Sequence, residues 1–355
     1  MNKLLSLITL ALTAVTTSAQ DFTYDGMNFT VLDNVAKTCE IRGNEPSILK
    51  TNASGKLVIP DKVLDGNTSY TVTAIGDMAF SYATEITSLT IPNTVLTIGK
   101  ESFANCTNLE TINFGRYVAE VGKNAFTNCV NLKTLDICDV CNWARIKFAN
   151  TEANPIAYSK TFSVKGVTVK NLDMNLLCCN VLPYTFYNAE NIESMRVYTS
   201  SLGESSFEGC INLKNILIDI NEIKANAFAG CDNIENIYLT RPVPPVAQEN
   251  SFSVYKGVNL YVPYEYIESY INADMYWNRF SNISGSEFKD LDSIFAANYD
   301  NESCGVNNVS TAEQYNANSI YNLQGVCLKR NATQDDIKDL TPGLYIIGNK
   351  KFLVK

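Results

Sequence analysis

Six stretches of this chain fall on one template, and that repetition limits the possible folds more than any other feature. Each copy opens with a branched apolar residue or Leu, and Phe follows five positions later: Ile75/Phe80, Ile98/Phe103, Val121/Phe126, Val181/Phe186, Leu202/Phe207 and Ile223/Phe228. Three residues after each Phe stands a small residue, Ala83, Cys106, Cys129, Ala189, Cys210 or Cys231. Apolar residues then recur six, nine and eleven positions after the Phe, as in Leu109, Ile112 and Phe114. The Phe-to-Phe steps are 23, 23, 60, 21 and 21 residues. The step of 60 has room for degenerate coils, with worn strand positions at Phe162-Ser163-Val164 and Leu172-Asp173-Met174.

A period of 20 to 29 residues with an L-x-x-L-x-L core is the leucine-rich-repeat spacing. One coil alone has too few apolar side chains to offset the entropy of ordering its backbone, so the coils must stack and share their cores. Positions four and six of the L-x-x-L-x-I segment alternate inward, as a parallel strand requires. The Phe and the small residue fall on the following turns and should form ladders inside the stack. Eleven Cys in the chain suggest disulfides, but Cys106, Cys129, Cys210 and Cys231 stand where Ala also serves and read as free buried thiols.

The phrases "VTAIGDMAF", "LTIPNTVLTIGKESFANCTNLETINF" and "EVGKNAFTNCVNLKTLDI" resemble the BspA-type leucine-rich repeats of anaerobic bacterial surface proteins. The preceding "FTYDGMNFTVLDNVAKTCEI" is similar to the strand-rich leader of such proteins, and "NWARIKFANTEANPIAYSKTFSVKGVTV" to a variant coil found in them. The resemblance spans roughly residues 22 to 285. It implies a mainly β, right-handed leucine-rich-repeat solenoid and a non-catalytic role in adhesion or surface binding.

The ends complete the expected organisation. Residues 1–19 read as a signal peptide: Lys3, a short apolar run, then Thr17-Ser18-Ala19 as a cleavage site. Residues 20–70 read as an N-terminal β-hairpin cap with turns at Asp25-Gly26 and Asp65-Gly66. The solenoid occupies 71–285, ending in one last strand at Leu260–Pro263 and a capping helix over Tyr264–Tyr276. Residues 286–318 are polar and read as a linker; 319–355 read as a small β module resembling the sorting or anchoring modules of the same bacterial group. An exported chain at the cell surface, in the outer envelope or secreted is expected. No segment has the roughly twenty consecutive apolar residues of a membrane span.

The chain contains no histidine, which removes Ser-His-Asp and Cys-His catalysis and the common zinc sites. Glycosidase chemistry needs two carboxylates, but no motif surrounds any pair. Cys138-x-x-Cys141 has redox spacing without a second Cys pair or a strand feeding a helix N-terminus, so a local disulfide or structural thiols are the readings; Cys178-Cys179 is equally open. No enzyme activity and no cofactor or metal is expected. A net charge of −9 gives no electrostatic footing on nucleic acid.

What remains is the outward face of the repeat strands. The third and fifth strand positions carry Ser88/Thr90, Thr111/Asn113, Thr134/Asp136, Ser194/Arg196, Asn215/Leu217 and Asn236/Tyr238. Asn113, Asp136, Arg196, Leu217 and Tyr238 are the candidate partner-binding residues, since an outward Leu beside Tyr and Arg has the composition of an interface centre. The expected partners are extracellular or host surface proteins, including glycoproteins. The alternative is a glycan-binding accessory protein of the cell envelope, with Tyr238, Tyr261 and Tyr264 as an aromatic platform.

Overall fold

A computed structural model of the chain describes residues 20–42, 55–175, 180–248, 250–273, 276–289 and 291–299, together with four strands at 320–322, 327–329, 343–347 and 350–354. The signal-peptide reading, Cys178-Cys179 and residues 300–318 of the expected linker lie outside the described residues.

The N-terminal cap feeds both faces of the first coil. Asp21–Tyr24 and Met27–Asp33 pair as a hairpin whose turn, Asp25 and Gly26, has φ of 48° and 77°, the paired positive angles of a tight hairpin turn. Met27–Asp33 pairs with Thr38–Ile41, which then runs parallel to Thr68–Ile75. Lys56–Val58 crosses to the other face and pairs parallel with Ser88–Thr90. Phe29, Cys39, Ile41 and Val63 of the cap are buried in one core with Val72 and the first coil.

Beyond the cap the repeat strands ladder in parallel, but in two six-stranded sheets rather than one. The first holds Lys56–Val58, Ser88–Thr90, Thr111–Asn113, Thr134–Ile137 and Ser163–Val164, and ends where Ser163–Val164 turns back into Val167–Thr168 through Lys165-Gly166. The second runs from Asn171–Asn175 through Ser194–Tyr198, Asn215–Asp219, Asn236–Leu239 and Asn259–Pro263 to Asn282–Ser286. The inward residues fall where the template put them: Leu89, Ile112 and Leu135 in the first sheet, and Leu172, Met195, Ile216, Ile237 and Leu260 in the second, are all buried.

The phenylalanine column is also broken in two, between Phe126 and Phe162. Phe80, Phe103 and Phe126 stack at 5.2 and 5.3 Å with ring planes 10° and 8° apart. A second run continues from Phe162 through Phe186, Phe207 and Phe228 to Phe252 at 5.1 to 5.7 Å. Between the runs Trp143 packs on Phe114 and Phe148, and its indole N–H donates to the carbonyl of Thr185 at 2.8 Å. A longer coil needs a larger filler, and the indole provides it.

Three further ladders hold the coils in register. The Cys106, Cys129, Cys210 and Cys231 thiols are free and buried, each directed at the Phe carbonyl of the preceding coil, as in Cys106 to Phe80 O at 3.2 Å. Asn108, Asn131, Asn212 and Asn233 each donate a side-chain amide to a carbonyl one coil back at 2.7 to 2.8 Å. A Cβ on Gly99 or Gly122 would stand 2.5 Å from the backbone of the preceding coil, so glycine there sets how closely the coils approach.

The C-terminal end differs from the sequence reading in two respects. Asn259–Pro263 is not the last strand, because Asn282–Ser286 pairs parallel beyond it. Its Gly285 lies so close under the Tyr264 ring that a Cβ would collide with it. The capping helix is Ile267–Ile271 preceded by a 3₁₀ turn at Tyr264–Tyr266, shorter than expected, with Ile271 exposed. Tyr270 is buried and donates to Arg241 O at 2.9 Å, and Trp277 donates to Pro245 O at 2.7 Å. At the C-terminus Ile320–Asn322, Cys327–Lys329, Gly343–Ile347 and Lys350–Val354 form an antiparallel sheet.

Candidate binding face of the repeat sheets

Because the ladder alternates, every second residue of a repeat strand points away from the core, and strand pairing aligns these residues in rows. In the first sheet one row runs Lys56, Ser88, Thr111, Thr134 and the next Val58, Thr90, Asn113, Asp136, Ser163. In the second sheet the corresponding row is Asp173, Arg196, Leu217, Tyr238, Tyr261, Ser284. The five candidate residues therefore do not form one strip. Asn113 and Asp136 are neighbours on the first sheet, and Arg196, Leu217 and Tyr238 are consecutive on the second.

The first sheet presents its outward rows to solvent. Val58 is 62% exposed, and Asn113 and Thr134 are exposed beside half-buried Ser88, Thr90 and Thr111. Along the second of these rows Asn113 Nδ2 reaches Thr90 Oγ1 at a long 3.5 Å. Asp136 is committed to the fold: its Oδ1 accepts from Ser163 Oγ at 2.5 Å and from Gly166 N at 2.8 Å, which fixes the Lys165-Gly166 turn.

The second sheet is covered. In place of the solvent-facing ribbon and the linker expected from the sequence, residues 287–289 and 291–299 fold back across it as a strap, with one helical turn at Asp292–Phe295. Leu217 is 3% and Tyr238 9% exposed, and Phe295 is fully buried on top of them. These three form a second apolar cluster, separate from the main core, with Tyr198, Tyr261, Phe288, Leu291 and Ile294 around it. Tyr238 stacks on Tyr261 at 4.7 Å and meets the Phe295 ring edge-on at 5.7 Å. Of the aromatic platform considered for glycans, Tyr238 and Tyr261 are thus covered by a side chain of the same molecule, while Tyr264 stays exposed.

The polar contacts of the strap are equally specific. The Arg196 guanidinium is gripped by Asp173, Nε to Oδ1 at 3.0 Å and Nη2 to Oδ2 at 2.5 Å, while Nη1 reaches Asp292 at 2.5 Å. The hydrogen bonds to Asp173, joined by that to Asp292, hold its pKa further above its ordinary value. Ser194 Oγ donates to Ile294 O at 2.8 Å, and Asn171 Nδ2 to Ala296 O at 3.1 Å. Asn298 Oδ1 accepts from the backbone of Lys170 and Asn171, and Tyr299 is buried with its hydroxyl against the Asp173 backbone. The sequence carried a signal for the strap: Phe288, Leu291 and Phe295 recur at helical spacing within an otherwise polar stretch.

The Cys138-x-x-Cys141 motif also differs from expectation. A strand does feed a helix turn there, Val140–Trp143, with Asp139 as N-cap accepting from Asn142 N at 2.7 Å. Burial raises the Asp139 carboxyl above its usual range even though Arg116 pairs with it at 3.2 Å. Cys138 is a free thiol, and burial pushes its pKa up, against what a redox nucleophile needs. Cys141 is disulfide-bonded. Cys39, Cys106, Cys129, Cys210 and Cys231 are free as well. Among the described residues no cluster of three or more His, Cys, Asp or Glu side chains could hold a metal ion, and no helix is long and apolar enough to cross a membrane.

The profile of the BspA type leucine rich repeat region matches in six copies over residues 73–163, 141–259 and 179–291. A leucine-rich repeat protein from Bacteroides capillosus is 26% identical over 41% of this chain and 99% of its own, with a TM-score of 0.34. One from Bacteroides ovatus is 18% identical over 68% of this chain and 71% of its own, with a TM-score of 0.38. A leucine rich cell surface protein from Faecalibacterium prausnitzii is 17% identical over 78% and 98%, with a TM-score of 0.26. No curated protein matches the chain.

Proposed function

The chain belongs to the BspA-type leucine-rich-repeat family, and from that premise we propose that it is a non-catalytic, exported binding protein that recognises extracellular or host surface proteins, as an adhesin does. The open outward rows of the first sheet are the contact surface. The observation that carries this reading is the separation of duties in that sheet: Leu89, Ile112 and Leu135 make the core, while Val58, Thr90, Asn113 and Thr134 on the opposite face can change without disturbing it. Repeat proteins bind in this way because the sheet is rigid and its outer side chains are interchangeable. A disulfide at Cys141 supports an oxidising compartment outside the cytosol.

The test is binding of the full chain to an array of purified extracellular-matrix proteins and mucus glycoproteins, intact and deglycosylated. A ligand bound by the wild type should be bound at least tenfold more weakly by an Asn113→Arg/Thr134→Arg variant whose thermal transition is unchanged. Equal binding by variant and wild type removes the first sheet from the role; binding lost on deglycosylation replaces protein recognition by glycan recognition.

A further inference from the structure

We propose that the outward face of the second sheet is a peptide-binding groove held shut by its own strap, and that it accepts an external peptide carrying a carboxylate three residues before an aromatic side chain. The strap shows what the groove recognises. Phe295 enters an apolar slot floored by Leu217 and walled by the Tyr238–Tyr261 stack. Asp292 meets the one Arg196 amino group that Asp173 leaves facing outward. Arg196 and Leu217 sit on adjacent strands of one outward row, about 5 Å apart. Three residues of helix rise about 4.5 Å, so one turn places a carboxylate and an aromatic ring on those two positions together. Ser194 and Asn171 then read two main-chain carbonyls, which any peptide supplies.

The strap is built to leave. Among the described residues it makes no backbone-to-backbone bond to the sheet; its own such bonds are internal, Ile294 and Phe295 N to Leu291 O and Ala296 N to Asp292 O. The sheet beneath it is complete without it, with ladders from Asn171–Asn175 to Asn282–Ser286 and an inner face buried in the main core. The Phe295 cluster is separate from that core, whereas Tyr299 packs into it. Residues up to Phe295 can therefore lift while Asn298 and Tyr299 stay as the tether. Asp292 is 86% exposed, so its ion pair is open to water and competitors. A tethered segment acts at an effective concentration on the order of millimolar, which keeps weak external peptides out until the strap is displaced.

The experiment uses the full chain and a fluorescein-labelled peptide of residues 287–297, followed by anisotropy. Wild type should bind the peptide weakly, and a Phe295→Ala chain at least tenfold more tightly. Leu217→Asp added to Phe295→Ala, or Ala in place of Phe295 in the peptide, should abolish the gain. If Phe295→Ala keeps the wild-type circular dichroism and thermal transition yet binds no better than wild type, the strap is a fixed part of the array and the proposal fails. Amide exchange on the unaltered protein tests the same point without a variant. The Phe295 and Ala296 amides should exchange at least a hundredfold faster than those of Leu217 and Tyr238; exchange at a common rate overturns it. Because the probe is this chain's own segment and the readouts lie on the second sheet, this result is separable from the fate of the first-sheet ribbon.

Discussion

Replacing Phe103 by Ala is the sharpest test of the stacked-coil core. The ring is fully buried and lies between Phe80 at 5.2 Å and Phe126 at 5.3 Å, nearly parallel to both. Losing its apolar area costs about 2–3 kcal/mol, and each stacked pair contributes about 0.5–1.5 kcal/mol more. The coils on either side are fixed by backbone bonds such as Phe80 N to Ser102 O and Phe103 N to Ala125 O, so the cavity cannot close. The sum is about 4 kcal/mol, inside the range for buried Phe→Ala changes. Phe80, at the end of its run, has one stacked partner, and Phe80→Ala should cost about 1 kcal/mol less. Urea unfolding followed by far-ultraviolet circular dichroism on both variants, at equal temperature and salt, measures the difference. A loss below about 1 kcal/mol for Phe103→Ala, or equal losses for the two, would falsify the ladder as the source of stability.

Three smaller perturbations probe the other ladders. Tyr82 is 68% exposed at φ 63°, in the slot that Asn105, Asn128, Asn188, Gly209 and Gly230 occupy at similar angles; Tyr82→Asn should stabilise by about 0.5–1 kcal/mol, and a lowered melting temperature would contradict the strain reading. Gly99→Ala places a Cβ 2.5 Å from the Gly76–Asp77 backbone and should destabilise by about 2 kcal/mol or more, measured by the same unfolding assay. Burial pushes the Cys106 thiol from its usual 9.0 up to about 12, so the folded state keeps its proton where the unfolded state has lost it. The stability this contributes is complete below pH 9 and drains away as pH rises toward 12, at about 1.4 kcal/mol per unit. Cys106→Ala should lose about 1 kcal/mol less than wild type between pH 9 and 10, and parallel losses in the two proteins would show the thiol does not titrate as described.

Much of the fold could be read from the residues because burial acts on side-chain type. Every inward position of the template, from Ile75 to Leu239, is an apolar residue that the structure buries. The ladder thiols stand where the template wanted a small apolar group. Backbone conformation leaves a fainter trace. Each Phe turn has left-handed residues two positions before and after the ring, but the leading slot holds Met78, Glu101, Asn124, Tyr184, Ser205 and Asn226, which share no chemistry. The last strand, Asn282–Ser286, was hidden because Gly and Ser serve at a closing edge where Tyr264 supplies the bulk. The division into two sheets follows from one reversed turn at Lys165-Gly166, which no periodicity announces.

The candidate face was legible in composition and not in accessibility, and one outward slot shows why. Across the first sheet that slot reads Val58, Thr90, Asn113, Asp136, and a strip that is mostly small and polar can stand in water. Across the second it reads Arg196, Leu217, Tyr238, Tyr261, which would expose adjoining apolar side chains on a flat sheet. Such a surface is stable in solution when something covers it, and the nearest amphipathic segment in the chain is the one that follows the last coil. Sequence composition therefore identifies a surface built for contact, while chain connectivity decides which partner reaches it first. Polar replacements at Leu217 and Tyr238 separate the two influences, since they remove the need for a cover and leave its tether at Tyr299 intact.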